Sequence, residues 1–227
     1  MPRYFQFALL LLWALSCPAQ EIVDRMVAAV NRQVILESDV DQTARVEMLL
    51  DGKPLSELTP QTMSAVLDRL IDQSLLQEQI VTTAQLDPTR QELEARVREV
   101  RTQIAGATTD DQWQAVLAKY GVTQQDVEQQ LVRQIRILRF VDLRFRGLVR
   151  VDRTAITTYY QETLLPELRK QNADVPSLGD VSEKIRLILV EQRIDGLLNA
   201  WLQTLRSQAL IEKMDHETAP ASGASTP

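Results

Sequence analysis

Histidine and cysteine are almost missing from this sequence: one of each in 227 residues, His216 and Cys17. A Ser-His-Asp triad, a His-rich zinc site and an imidazole base therefore have nothing to be built from, and His216 adjoins a low-complexity tail. Glycine is scarce as well. Its seven copies stand singly, mostly at expected helix ends, so no Gly-rich phosphate loop exists. Basic charge is not in excess either: 25 Lys and Arg face 31 Asp and Glu, a formal charge of −6, which argues against nucleic acid as a partner. The carboxylates at Asp110, Asp111, Glu92 and Glu94 fall at helix starts or on exposed faces, where capping and solvated charge explain them. No Gly-rich or aromatic loops surround them to shape a sugar site. The expectation is a protein without catalytic residues, metal or cofactor.

What is abundant is Leu, Gln, Glu, Arg and Ala, a helix-forming composition. Residues 1–20 are set apart from it. Arg3 precedes the apolar run Phe7–Leu15, and Ser16-Cys17-Pro18-Ala19-Gln20 makes a small-residue exit with cleavage after Ala19 or Gln20. That is the form of a secretory signal peptide, too short to span a bilayer. Cleavage beyond Cys17 leaves a mature chain with no thiol. The alternative is a lipoprotein in which Cys17 carries a lipid anchor, although Ala14 stands where Leu is usual in such a box.

The mature chain opens with two short β-prone runs, Met26–Val30 and Gln33–Leu36, joined by Asn31-Arg32. Ser38 is read as the cap of a first helix with the stripe Val40, Ala44, Met48, ending at Asp51-Gly52. Thr59-Pro60 starts a second helix with a wide apolar stripe, and Asp87-Pro88 a third. Asp110 or Asp111 opens a short fourth, closed by Gly121. Thr123 to Asp126 has capping-box form and leads a long helix with Val127, Leu131, Ile135, Leu138 and Phe145 on one side. Arg133, Arg136, Arg139, Arg144, Arg146 and Arg150 make its far half basic, either a solvated face or a docking face for an acidic partner or lipid headgroups. Asp152 caps a helix that holds Tyr159-Tyr160 and is disturbed by Pro166, and "RKQNADVPSLGD" reads as a linker. Asp180 is read as the cap of a last helix whose stripe runs from Ile185 through Ile188, Ile194, Leu197 and Trp201 to Leu205. "ALIEKM" is then a candidate strand, before a disordered tail at 217–227.

A lone hairpin is marginally stable. A strand within 209–214 added to its edge would give a three-stranded sheet that staples both ends of the chain. The fold class expected is mainly α: a bundle of about six to seven helices with a small sheet formed by the N-terminal hairpin and a C-terminal strand.

"VAAVNRQVILESDVDQ", "LIDQSLLQEQ", "FRGLVRVDRTAITTYYQE" and "EKIRLILVEQRIDGLLNAWLQTLR", in that order, resemble the SurA family of exported chaperones over about residues 22–214. The resemblance implies a periplasmic, ATP-independent chaperone that binds unfolded or partly folded polypeptides such as outer-membrane protein precursors, as monomer or homodimer and without stable membrane insertion. Typical members carry parvulin-type isomerase domains between the "ITTYYQE" helix and the last one. Here only Leu164 to Gly179 fills that place, and the paired histidines of a parvulin site are missing. The domain reading is thus a leader at 1–20 and one chaperone unit at 21–216, with a linker at 166–180 in place of the isomerase. The alternatives are a dedicated assembly factor with one fixed ligand and a residual prolyl isomerase.

A holding chaperone needs exposed apolar area and adaptable side chains. The candidate peptide-binding residues are Trp113, Tyr120, Phe140, Tyr159, Tyr160 and Trp201, with Met48 and Met63 as flexible fillers. Tyr159 and Tyr160 stand out because neighbours lie about 100° apart on a helix and cannot share one core.

Overall fold

The computed structural model describes residues 24–80 and 86–214. The signal-peptide, Cys17, His216 and tail readings fall outside these residues. Strands β1 (Met26–Val30) and β2 (Gln33–Leu36) form the hairpin, and β3 (Ile211–Lys213) pairs antiparallel with the other edge of β1, in the order β2-β1-β3. The register places Ala29 opposite Val34 on one side and Glu212 on the other. The helices are α1 (Glu37–Leu50), α2 (Pro60–Gln79), α3 (Arg90–Gln103), α4 (Asp110–Tyr120) and α5 (Gln124–Phe145). They are followed by α6 (Arg153–Tyr159), α7 (Leu165–Lys170) and the long α8 (Leu178–Gln208). A π-helical turn, Tyr160–Leu164, joins α6 to α7 without a break, so the fold is the expected mainly helical bundle with a small sheet. Pro166, early in α7, has no N–H to give to the residue four before it, and the ladder loosens just upstream. The connection from α7 to α8 is shorter than the composition of 169–180 suggests, since only 171–177 lie outside helices.

Four helix starts are capped by threonine, at Thr59, Thr89, Thr109 and Thr123, each accepting from the backbone N–H three residues on. Three expected caps move. The N-cap position of α1 is Leu36, where Asp39 turns back to accept the Leu36 N–H at 2.9 Å, and Ser38 instead donates to Asp24. Helix α3 is capped by Thr89 and not Asp87, which is occupied by Arg136. Helix α8 is capped by Ser177, with Asp180 one turn inside. In each case a residue two or three positions away has the geometry, and the expected cap takes another partner.

Three apolar clusters hold the elements together. Ala28, Val30 and Ile35 of the sheet pack on Val40 and Ala44 of α1 and on Val66, Ile71 and Leu75 of α2. The other side of α1, with Val46, Met48 and Leu49, packs on α3, α4 and the first half of α5 through Val100, Trp113, Leu117, Val127 and Leu131. The far half of α5, with Val141 and Phe145, packs on Val190 and Ile194 of α8. Helices α1 and α5 thus each serve two cores.

The N-terminal hairpin and the segment that leads into β3 meet at Asn31. Its φ of +53° makes the hairpin turn, a conformation that asparagine tolerates. Its N–H donates to the Leu210 carbonyl at 2.8 Å, its Oδ1 accepts from the Leu210 N–H at 2.9 Å, and its Nδ2 donates to Glu78 of α2 at 2.8 Å. Lys213–Asp68 and Arg206–Asp72 pairs, at 2.6 and 2.5 Å, fasten the same end of the chain to α2. Removing residues 207–227 is expected to lower the melting temperature by about 5–10 °C. Asn31→Gly keeps the backbone conformation and loses the two side-chain bonds, so urea unfolding should read a loss of about 1–2 kcal/mol.

Candidate functional site

Apolar side chains that the fold leaves uncovered gather on α5 and α8. Leu138 is 67% exposed, Leu143 75% and Leu148, just beyond α5, 70%, while Leu187, Ile188 and Leu197 of α8 are also exposed. Leu138 corrects the sequence reading that put it on the buried side of α5. It lies eleven residues after Val127, only about 20° away around the helix, yet the cover over Val127 and Leu131 does not extend to it. Ile188 and Leu197, likewise read as part of the buried stripe of α8, are exposed because α8 is about 45 Å long and only Ile185, Val190 and Ile194 along it are fully buried.

Between the two helices runs an open groove of about 680 Å³. Ile137, Leu138, Val141 and Leu143 line it from α5, and Ile194 and Leu198 from α8. Its rim is charged. Arg146, just beyond α5, bridges Asp142 of α5 and Glu191 of α8, the latter at 2.9 Å, and Asp195 adds a further carboxylate. This arrangement can hold apolar side chains of an extended or helical segment, with polar groups at its edge.

The arginine-rich half of α5 is largely engaged within the fold. Arg136 binds Asp87, while Arg139 donates to the Asp87 carbonyl at 2.8 Å and to Glu92 at 2.5 Å, which ties the start of α3 to α5 beside the groove. Arg144 lies 4.2 Å from the Trp201 ring centre. These residues clamp helices and are not a free basic face. Hydrogen bonding from Arg136 holds the Asp87 carboxyl below its usual range. Glu92 is lowered chiefly by the Thr89 N–H, with Arg139 adding to it.

The six candidate aromatic residues separate. Trp113 is 1% exposed and Tyr120 7%, both inside the second core. The Tyr120 hydroxyl donates to the Lys53 carbonyl at 2.8 Å. The proposal of these two as surface contacts is corrected, because helical spacing serves core and groove alike and here the core takes them. Met48 is buried in that core too, and Met63 packs beside the sheet cluster. Phe140 and Trp201 are brought together, ring centres 5.8 Å apart, with Phe145 edge-on to Trp201 at 5.7 Å. They join α5 to α8 behind the groove and do not line it. Tyr160 donates to the Pro176 carbonyl at 2.7 Å and closes the 171–177 loop, whereas Tyr159 borders a separate shallow depression with Thr158, Glu162 and Leu189. The groove leucines were missed by the sequence reading. Leu143 gave the one available signal, an apolar residue on the side of α5 opposite its stripe.

With this geometry in view, the SurA-like N-terminal domain profile matches residues 6–141, more than half of the chain. The chain belongs to the SurA-like N-terminal domain family. It is also 28% identical over 170 residues to a chaperone SurA of Hahella chejuensis, an alignment covering 72% of this chain. It spans 38% of that protein's length. The SurA-like profile ends within α5, so α8 and β3, which complete the sheet and form one wall of the groove, lie beyond it. Among the described residues no group of three His, Cys, Asp or Glu side chains is placed to hold a metal ion, and no helix is long and apolar enough to cross a membrane.

The lowered carboxyl groups fix a pH dependence. A carboxyl with a folded pKa below its unfolded value contributes fully above the unfolded value and is lost as pH falls through the folded one. Melting followed from about pH 6 down to about pH 3 should therefore fall more steeply in the unaltered chain than in Asp87→Asn, the two curves converging at the acid end.

Proposed function

We propose that this chain is an exported, ATP-independent chaperone of the periplasm that holds apolar segments of unfolded or partly folded polypeptides, outer-membrane protein precursors among them, in the groove between α5 and α8. The observation that carries this reading is the set of uncovered leucines around a 680 Å³ groove. Large exposed apolar side chains clustered beside a concavity are unusual on a monomer and mark interaction sites. The similarity to a chaperone SurA supports the same class of ligand.

The mechanism has no chemical step. Burying a leucine-sized side chain gains about 1.5–3 kcal/mol, so three anchors gain about 5–9 kcal/mol. Ordering the client segment and losing its free motion subtract several kcal/mol. The remainder is weak binding, which lets a client leave when its own folding buries those side chains. Nucleotide is not needed for release. The charged rim keeps the groove wetted at its edges and discourages permanent self-association. In this reading residues 21–216 act as one chaperone unit behind a leader at 1–20, and the stretch 166–180 stands where family members with an isomerase insert that domain.

The test is light scattering of an unfolded outer-membrane protein diluted into buffer with stoichiometric mature protein. Delayed aggregation is expected from the unaltered chain. The Leu138→Ser/Leu143→Ser double variant should lose most of that delay while its melting temperature stays nearly constant, since both residues are largely exposed. Equal protection by both proteins would refute the groove. Capture of a single fixed ligand, with no effect on unrelated clients, would favour a dedicated assembly factor instead.

A further inference from the structure

A second cleft meets the groove at Ile137. It passes Arg133 of α5, with about 240 Å³ on one side and about 170 Å³ on the other, and both parts share Arg133, Leu70 and Ser74. The larger part is walled by Val34 and Ile35 of β2, an outer strand of the sheet. Arg133 is the charged group at the centre. A guanidinium has five N–H donors. Here Nε and Nη2 both donate to one oxygen, Oε1 of the buried Gln130, at 3.1 and 2.7 Å. Among the described residues no carboxylate pairs with it. Asp39 and Asp126 act on it only through space, and both already accept backbone N–H groups, from Leu36 and Thr123. Burial of the guanidinium lowers its pKa, as expected where water is partly excluded and no counter-ion is in contact.

The cleft thus offers unused guanidinium donors close to the apolar side chains of Val34, Ile35, Leu70 and Ile137. An anionic ligand fits poorly, since Asp39 and Asp126 outnumber Arg133. A neutral acceptor fits well, and the peptide carbonyl is one. We infer that the Arg133 cleft binds the main chain of an extended polypeptide, Arg133 donating to a backbone carbonyl. This rests on the proposed function and deepens it: the groove takes apolar side chains, and the adjoining cleft takes main chain, which every client has whatever its sequence.

The experiment uses the mature chain and a fluorescein-labelled, acetylated and amidated decapeptide of alternating Leu and Ser, read by anisotropy. Arg133→Gln should weaken binding about tenfold, and Arg133→Lys should weaken it almost as much, because the planar fork is lost. In the unaltered protein the Arg133 Nε–H resonance should shift on saturation with peptide, a readout independent of how well either variant folds. Unchanged affinity in Arg133→Gln, with weaker binding by Leu143→Ser, would overturn this inference and leave the groove standing. A resonance that does not move would overturn it too, whatever the variants do. Tenfold tighter binding of the same peptide with a free carboxylate would make the ligand an anion and reject the backbone assignment. No binding by the unaltered chain would remove the groove reading and this one together.

Discussion

Asn31 is the point on which the joining of the first strands to the last one depends. One residue turns the hairpin, pairs twice with Leu210 and reaches Glu78 on α2. Without that junction β3 would be a short strand of three residues at the end of a long helix, and β1 would have one neighbour instead of two. Short strands are held mainly by what packs on them. Here Leu205, Ala209 and Ile211 add to the cluster beneath the sheet, so the last helix is anchored at the same place as the first strand.

That anchoring decides how α8 lies. It leaves the sheet cluster at its C-terminal end, meets α5 at Val190, Ile194 and Trp201, and continues to α6. Because α8 is longer than any one core, its apolar positions are shared among several neighbours, and some face none. Helix α5 has the complementary property: its first half belongs to one core and its second half to another. Where cover passes from one neighbour to the next, Leu138 is left open and the groove appears. The uncovered surface is a consequence of two long helices, each serving more than one core.

The arginines of α5 fit the same picture. Arg136 and Arg139 fasten α3, Arg146 fastens α8, and Arg144 covers Trp201. Surface ion pairs contribute little singly, and of these arginines Arg139 and Arg146 lie at the edge of the groove. Arg133 differs from them in facing a cleft with no carboxylate in contact, and so the same basic stripe contains both clamps and a donor left over.

Periodicity and end signals made much of the fold legible. The hairpin bounds, the threonine caps at Thr59 and Thr123, the Gly121 stop and the strand after α8 follow from local chemistry, since turns, caps and amphipathic stripes are set by residues within a few positions of one another. The sequence therefore determined most of the elements and their order. It did not determine which aromatic residues are core. Trp113 and Tyr120 have the same spacing signal as Trp201, and only the packing of α1, α3 and α4 around them encloses them. Nor did it reveal the groove, because a stripe tells which side of a helix is apolar but not how far along that side a neighbour extends. Leu138 shares the face of Val127 and is open to solvent for that reason alone. The tertiary structure decided it, through the crossing of α5 by α8 and the end of the cover over its first half.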